Sequence, residues 1–109
     1  PAMAIDIETR KPRIANVTGG LSGPAIKPIA IRMVHEARQA VDAPIIGMGG
    51  ISTAADAIEM IIAGANAVGV GTAIFRDPGC LLAIVAGIED YLDAHGIASV
   101  AELVNTVER

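Results

Sequence analysis

The chain has 109 residues, 52% of them apolar and only 2% aromatic, and carries a formal net charge of −4. That length holds one domain at most, with a core of Ile, Ala, Val, Met and Leu, and the basic residues are scattered apart from Arg10, Lys11 and Arg13, which argues against a nucleic-acid surface. No apolar run reaches the roughly 18 residues of a membrane span and no signal-peptide pattern opens the sequence, so no membrane is expected and the expected setting is cytoplasmic.

Met3 to Ile7 alternate weakly, Thr9 to Pro12 carry turn and charge signals, and Arg13 to Val17 can extend again, which predicts a small hairpin. Thr18-Gly19-Gly20-Leu21-Ser22-Gly23-Pro24 is a glycine-rich loop in which Ser22 or Gly23 can cap a helix opened by Pro24. From about Ala25 the apolar residues Ile26, Ile29, Ala30, Met33, Val34, Ala37 and Val41 recur at helical spacing. This is an amphipathic helix ending near Val41.

Pro44 to Met48 is a strand without polar alternation, the pattern of a parallel strand buried on both faces. It runs straight into Gly49 and Gly50, whose backbone N–H groups a ligand can approach closely. Ser52 or Thr53 then caps the next helix, with Asp56 completing a box-like start, and its N-terminus is expected to add free N–H groups and the positive end of a dipole. A phosphate suits that arrangement; a tight strand-to-helix turn without any ligand uses the same residues. Ala57, Ile58, Ile61 and Ile62 form the buried helical face, and Gly64 is placed for a left-handed cap.

About 20 residues on, Ala67-Val68-Gly69-Val70-Gly71-Thr72-Ala73 repeats the design, an apolar strand ending in Gly71 and Thr72. Two parallel strands would thus end side by side in small residues, and Ala73 to Asp77 is the right size for the short extra helix of a barrel phosphate site. After Pro78 a long helix should turn Leu81, Leu82, Ile84, Val85, Ile88 and Leu92 toward the core and end at Gly96. Ser99 with Glu102 predicts a capping box for a short terminal helix. Cys80, the single cysteine, rules out an internal disulfide and any Cys-built zinc or iron–sulfur site within this chain, and is expected to be a buried helix residue. His35 and His95 are read as packed or solvated residues, and no metal site is expected.

The order is therefore hairpin, helix, strand, helix, strand, helix, helix. Two strongly apolar parallel strands cannot close a sheet under three helices, because each keeps an open edge. The fold class expected is α/β, with the chain forming part of a larger barrel whose remaining material lies most naturally before Pro1.

Thr18-Gly19-Gly20-Leu21-Ser22-Gly23-Pro24-Ala25-Ile26-Lys27-Pro28, Ile45-Ile46-Gly47-Met48-Gly49-Gly50-Ile51 and Val70-Gly71-Thr72-Ala73 closely resemble the C-terminal third of the catalytic subunit of dihydroorotate dehydrogenase. The resemblance covers nearly the whole chain, and Ser22-Gly23-Pro24 is similar to the NAD-dependent, two-subunit branch of class 1. It implies an FMN-binding (β/α)8 TIM barrel, of which residues 1–109 form the C-terminal part with the hairpin, the last two βα units and the terminal helix, oxidising dihydroorotate to orotate in pyrimidine biosynthesis, with a partner subunit carrying FAD and a 2Fe–2S cluster, and a homo-oligomer of the catalytic chain. Gly23 matches a position touching FMN, Gly49 and Gly50 match the phosphate loop after the seventh strand, and Gly71 with Thr72 match the loop after the eighth. The family's catalytic cysteine base, flavin-contacting lysine and substrate-holding asparagines would all lie upstream of Pro1. Cys80 does not match the catalytic position, so no catalytic residue is expected here.

Two other readings share these residues. Another phosphate-binding barrel enzyme, resembling inosine monophosphate dehydrogenase, carries similar Gly-Gly-Ile and Ala-Gly-Ala segments without flavin. A non-catalytic module that associates with itself through open strand edges is the other.

Overall fold

The computed structural model describes residues 1–108. Its centre is the helix Ala54–Ala63, here α2, whose Ala57, Ile58, Met60, Ile61 and Ala63 are all buried. The helix starts where it does because Thr53 is extended, its Oγ1 accepts from the Asp56 N–H at 3.2 Å, and Asp56 Oδ2 accepts from the Thr53 N–H at 3.0 Å. These reciprocal bonds satisfy donors that the first turn otherwise leaves open. At its other end Gly64 donates to the Ile61 carbonyl and Ala65 to the Met60 carbonyl, a Schellman closure made possible by φ of 132° at Gly64.

On one side of α2 lies α1 (Lys27–Ala40), preceded by a 3-10 turn at Pro24–Ile26; on the other lies α4 (Cys80–His95). The turn and α1 begin without any side-chain cap, so neither Ser22 nor Gly23 acts through a side chain; Pro24 and Pro28 occupy first-turn positions that have no intrahelical acceptor for an N–H. Two short strands, β1 (Ile46–Met48) and β2 (Ala67–Gly69), pair in parallel with Gly47 opposite Val68. Helix α2 is their crossover, so β1, α2 and β2 make one βαβ unit. A five-residue helix, α3 (Thr72–Arg76), links β2 to α4.

The expectation that β1 is buried on both faces is corrected. Gly47 is buried so tightly that a Cβ there would come within 2.4 Å of Met60, whereas Ile46 and Met48 on the opposite face remain 66% and 67% exposed. One face packs on helices; the other faces what would be a barrel interior, and no element among the described residues covers it. The same applies to α4, where Ile84 is buried and Ile88 packs beside it, but Leu81, Leu82 and Val85 point away from the core and are exposed. In α1 only Val34 is buried, with Ala30 and Ile31 packed behind it, and the predicted core residues Ile29 and Met33 are exposed.

The first 19 residues fold back on themselves through two isolated antiparallel bridges, Ala2 with Gly19 and Ile5 with Pro12, rather than a continuous ladder. Asp6 closes the tip: its carboxylate accepts from the Thr9 N–H at 2.8 Å and the Glu8 N–H at 3.1 Å, holding its pKa below the ordinary 3.8, chiefly through Thr9. The radius of gyration of 16.6 Å exceeds the roughly 13 Å of a closed domain of this length. After α4, Gly96 in the left-handed region closes the helix, and Ser99 Oγ accepts from Ala101 N–H rather than from Glu102, so the expected capping box is replaced by a 3-10 turn at Val100–Leu103.

Candidate functional site

Because β1 and β2 run in parallel, their carboxyl ends point the same way, and the loops that follow meet in a cleft of about 540 Å³. Gly49 and Gly50 enter it from β1, Gly71 and Thr72 from β2, and Gly23 from the loop before α1. All five residues singled out in the sequence therefore line one space. Gly23 is the meeting point: a Cβ on it would lie 4.0 Å from Thr72 Cγ2, and its carbonyl oxygen lies 2.9 Å from where a Gly50 Cβ would be.

The glycines are there for different reasons. Gly50 has φ of 72°, and a Cβ would sit 2.8 Å from both the backbone N and the Cβ of Lys27. Gly49, at φ of 125°, would strike Ala30 at 2.8 Å. Both are required by the approach of α1. Gly71 has an ordinary negative φ, and a Cβ there would meet nothing within 4 Å. The fold leaves that space open.

Among the described residues no acceptor is paired with the N–H of Gly50, Gly71 or Thr72, whereas that of Gly49 follows the Met48–Gly69 pair and continues the ladder toward the Gly69 carbonyl. At the start of α2, Asp56 Oδ2 accepts the N–H groups of Ser52 and Thr53, both at 3.0 Å, and Thr53 Oγ1 accepts that of Asp56. The N–H groups of Ala54 and Ala55 have no acceptor among the described residues, so the helix keeps two open donors as expected, although neither residue lines the cleft.

Burial raises the Asp56 pKa, but the Lys27 ammonium at 2.7 Å and the N–H groups of Ser52 and Thr53 outweigh it and hold the carboxyl at about 2. Lys27 Nζ also pairs with Glu59 at 2.7 Å, and its own pKa is raised, first by Asp56 and then by Glu59. Neither Lys27 nor its partners could be assigned from periodicity, since they lie 29 and 32 residues apart in the chain.

Three more polar residues reach the cleft unannounced: Arg76, Asp77 and Cys80. Arg76 stands four residues after Thr72, on the same side of α3, and the signal was that spacing. Asp77 Oδ1 accepts from Gly79 N–H at 3.0 Å. Cys80 is buried in the first turn of α4, as expected for a packed thiol, and lines the cleft from there. His95 lies on the surface, stacked on Tyr91 and bonded to its carbonyl, while His35 is half-buried on α1; neither lines the cleft.

A family model described as dihydroorotate dehydrogenase matches residues 1–92. The chain belongs to the dihydroorotate dehydrogenase family. Within it, the chain is 58% identical over 106 residues to the Geotalea daltonii protein named dihydroorotate dehydrogenase B (NAD(+)), catalytic subunit, covering 97% of this chain and 35% of that one. The Caldicellulosiruptor bescii protein of the same name is 59% identical over 106 residues, with the same coverage. These names agree with the branch read from Ser22-Gly23-Pro24. Among solved structures, ligand-free DHODH from Eimeria tenella superimposes with a TM-score of 0.78 at 29% identity, over 99% of this chain and 31% of that one. The same enzyme in complex with ferulenol gives 0.77 at 29% identity, over 96% and 29%.

The chain thus spans about a third of the length of the dihydroorotate dehydrogenases it matches. Its fold is that of part of a (β/α)8 barrel, which accounts for the uncovered faces of β1 and α4. No helix among the described residues is long and apolar enough to cross a membrane.

Proposed function

We propose that this chain supplies the phosphate end of an FMN site in a dihydroorotate dehydrogenase that oxidises dihydroorotate to orotate in pyrimidine biosynthesis. The observation that carries the reading is the convergence of Gly23, Gly49, Gly50, Gly71 and Thr72 on one cleft, where N–H donors of two loops await an acceptor and the space beside Gly71 is open. A phosphate accepts several such hydrogen bonds at once, and charge-assisted bonds of this kind are about twice as strong as neutral ones. Arg76 brings a guanidinium to the cleft wall beside the Asp77 carboxylate.

FMN, when bound, takes up the hydride equivalent that leaves dihydroorotate. The residues of this chain do the holding. The Gly49–Gly50 and Gly71–Thr72 loops would hold the phosphate through their backbone N–H groups, Gly23 would keep the α1 loop close to both, and Met48, Ile51 and Val70 would give the cleft apolar walls. No residue of the cleft is given the role of the proton-abstracting base, and Cys80 is a wall residue.

The word subunit in the relatives' names, with NAD(+), supports a second polypeptide that carries electrons onward. We assign to it the FAD and 2Fe–2S cluster that the resemblance implies for this branch. The working protein is placed in the cytoplasm as an assembly of catalytic chains with that partner. Family membership favours this flavin reading over a nucleotide-substrate barrel using the same loops.

The test is direct. The intact protein should purify yellow, release FMN rather than FAD on denaturation, and convert dihydroorotate to orotate. A colourless protein that takes up no flavin when FMN is supplied would overturn the proposal.

A further inference from the structure

We propose that Lys27 is a positioning residue for the FMN phosphate, holding the Gly49–Ser52 loop against the Gly23 loop through its ion pair with Asp56. The inference deepens the cofactor reading above and rests on it. Lys27 does not line the cleft. It stands behind it, at the first position of α1, four residues after Gly23.

Three contacts connect it to the loop after β1. Its Nζ lies 2.7 Å from Asp56 Oδ1, while the other oxygen of the same carboxylate accepts the Ser52 and Thr53 N–H groups at 3.0 Å. Its backbone N and Cβ lie against Gly50, 2.8 Å from the position of an absent Cβ, with the Gly23 carbonyl at 2.9 Å on the same side. Its second partner, Glu59, is half-exposed on α2 and steadies the ammonium from the solvent side. The carboxylate therefore grips the loop with one oxygen and α1 with the other.

That geometry fixes how far the Gly49–Gly50 loop stands from Gly23. The two sets of loop donors can serve one phosphate only while that distance holds, because hydrogen bonds weaken steeply as angle and separation drift. The contrast with Arg32–Glu36 on the same helix is informative: that pair is 61% and 60% exposed, is local to one helix turn, and links nothing. Asp56 is only 16% exposed and joins two elements.

The experiment compares FMN with riboflavin, which lacks the phosphate, in the intact protein stripped of flavin. Lys27→Met should weaken FMN about tenfold, the loss of one charge-assisted hydrogen bond, and leave riboflavin affinity within about twofold. Lys27→Arg, which keeps the charge and the reach to Asp56, should restore FMN. Asp56→Asn can keep its amide oxygen on the loop N–H groups, and its NH2 group then faces Lys27, so both the charge and the acceptor are removed from that contact. It reads the same contact should Lys27→Met fail to fold, and should lower FMN against riboflavin in the same sense. The double variant should lose no more than the worse single one. Equal loss of FMN and riboflavin, or unchanged FMN in a folded Lys27→Met or Asp56→Asn protein, would overturn the proposal and reduce the pair to a helix tie. Gly71→Val separates this failure from failure of the cofactor reading: if it lowers FMN against riboflavin while the Lys27 and Asp56 variants do not, the phosphate site stands and only the role of Lys27 falls.

Discussion

The loops after β1 and β2 carry the same motif, an apolar strand ending in glycine, yet the two are built under different constraints. At Gly50 the residue type is dictated from within: positive φ, a helix backbone 2.8 Å from the missing Cβ, and a carbonyl at 2.9 Å. At Gly71 no neighbour lies within 4 Å, and φ is −118° with ψ of −87°, so no packing contact dictates the residue type. Packing explains the first glycine; it does not explain the second. A glycine-rich loop in a sequence therefore carries functional weight in proportion to the free space around each glycine, not to the number of glycines.

Substitution at Gly50 should give the largest effect. A Val there combines backbone strain at positive φ with overlap against Lys27, which should cost about 3–5 kcal/mol, and flavin and stability should be lost together. A calorimetric scan of Gly50→Val that matched the parent would show that α1 yields easily and would erase the distinction from Gly71.

Acid should act on the same side of the comparison. Asp56 has its folded pKa near 2, below the ordinary 3.8, so its contribution is complete above about pH 4 and is lost as pH falls toward 2. The full contribution is of order 2 kcal/mol, screened somewhat at a site near the surface. Lys27 works in the opposite sense at alkaline pH: its raised pKa adds stability below 10.5 that disappears as pH rises through the folded value. Denaturant midpoints measured between pH 5 and pH 2.5 should fall more for the parent than for Asp56→Asn. Parallel curves would show that the pair is not a fastening.

Val17 offers the smallest effect and a control remote from both loops. It is β-branched, 47% exposed, and held at φ of 66°. Val17→Asn should raise stability by about 0.5–1 kcal/mol, since Asn tolerates that region and little packing is lost. A destabilised variant would mean that the arm holds Val17 in a contact worth more than the strain.

Much of this arrangement was legible in the residues. Thr53 with Asp56, Gly64 and Gly96 each announced a helix end, because capping is local chemistry over three or four residues. The five cleft residues were legible for a related reason: parallel strands must end on one side, so residues just past two such strands converge. What escaped was set by distant packing. Ile46, Met48, Leu82 and Met33 read as core by periodicity, yet periodicity reports a face and not what covers it. Lys27 escaped because its partners come from another helix. At the α2 N-terminus the Asp56 carboxylate, legible as a cap, also takes the Ser52 N–H, which lies outside the local capping pattern, while the N–H groups of Ala54 and Ala55 stay open.

The central claim is that the open space beside Gly71 is kept for a phosphate. Gly71→Val in the intact protein, with FMN and riboflavin affinities measured on the same stripped sample, tests it most directly. The account predicts unchanged melting and riboflavin binding with FMN weakened about tenfold or more, corresponding to at least one lost hydrogen bond to the anion. FMN bound as tightly as by the parent, with the Val side chain accommodated in a folded protein, would contradict it.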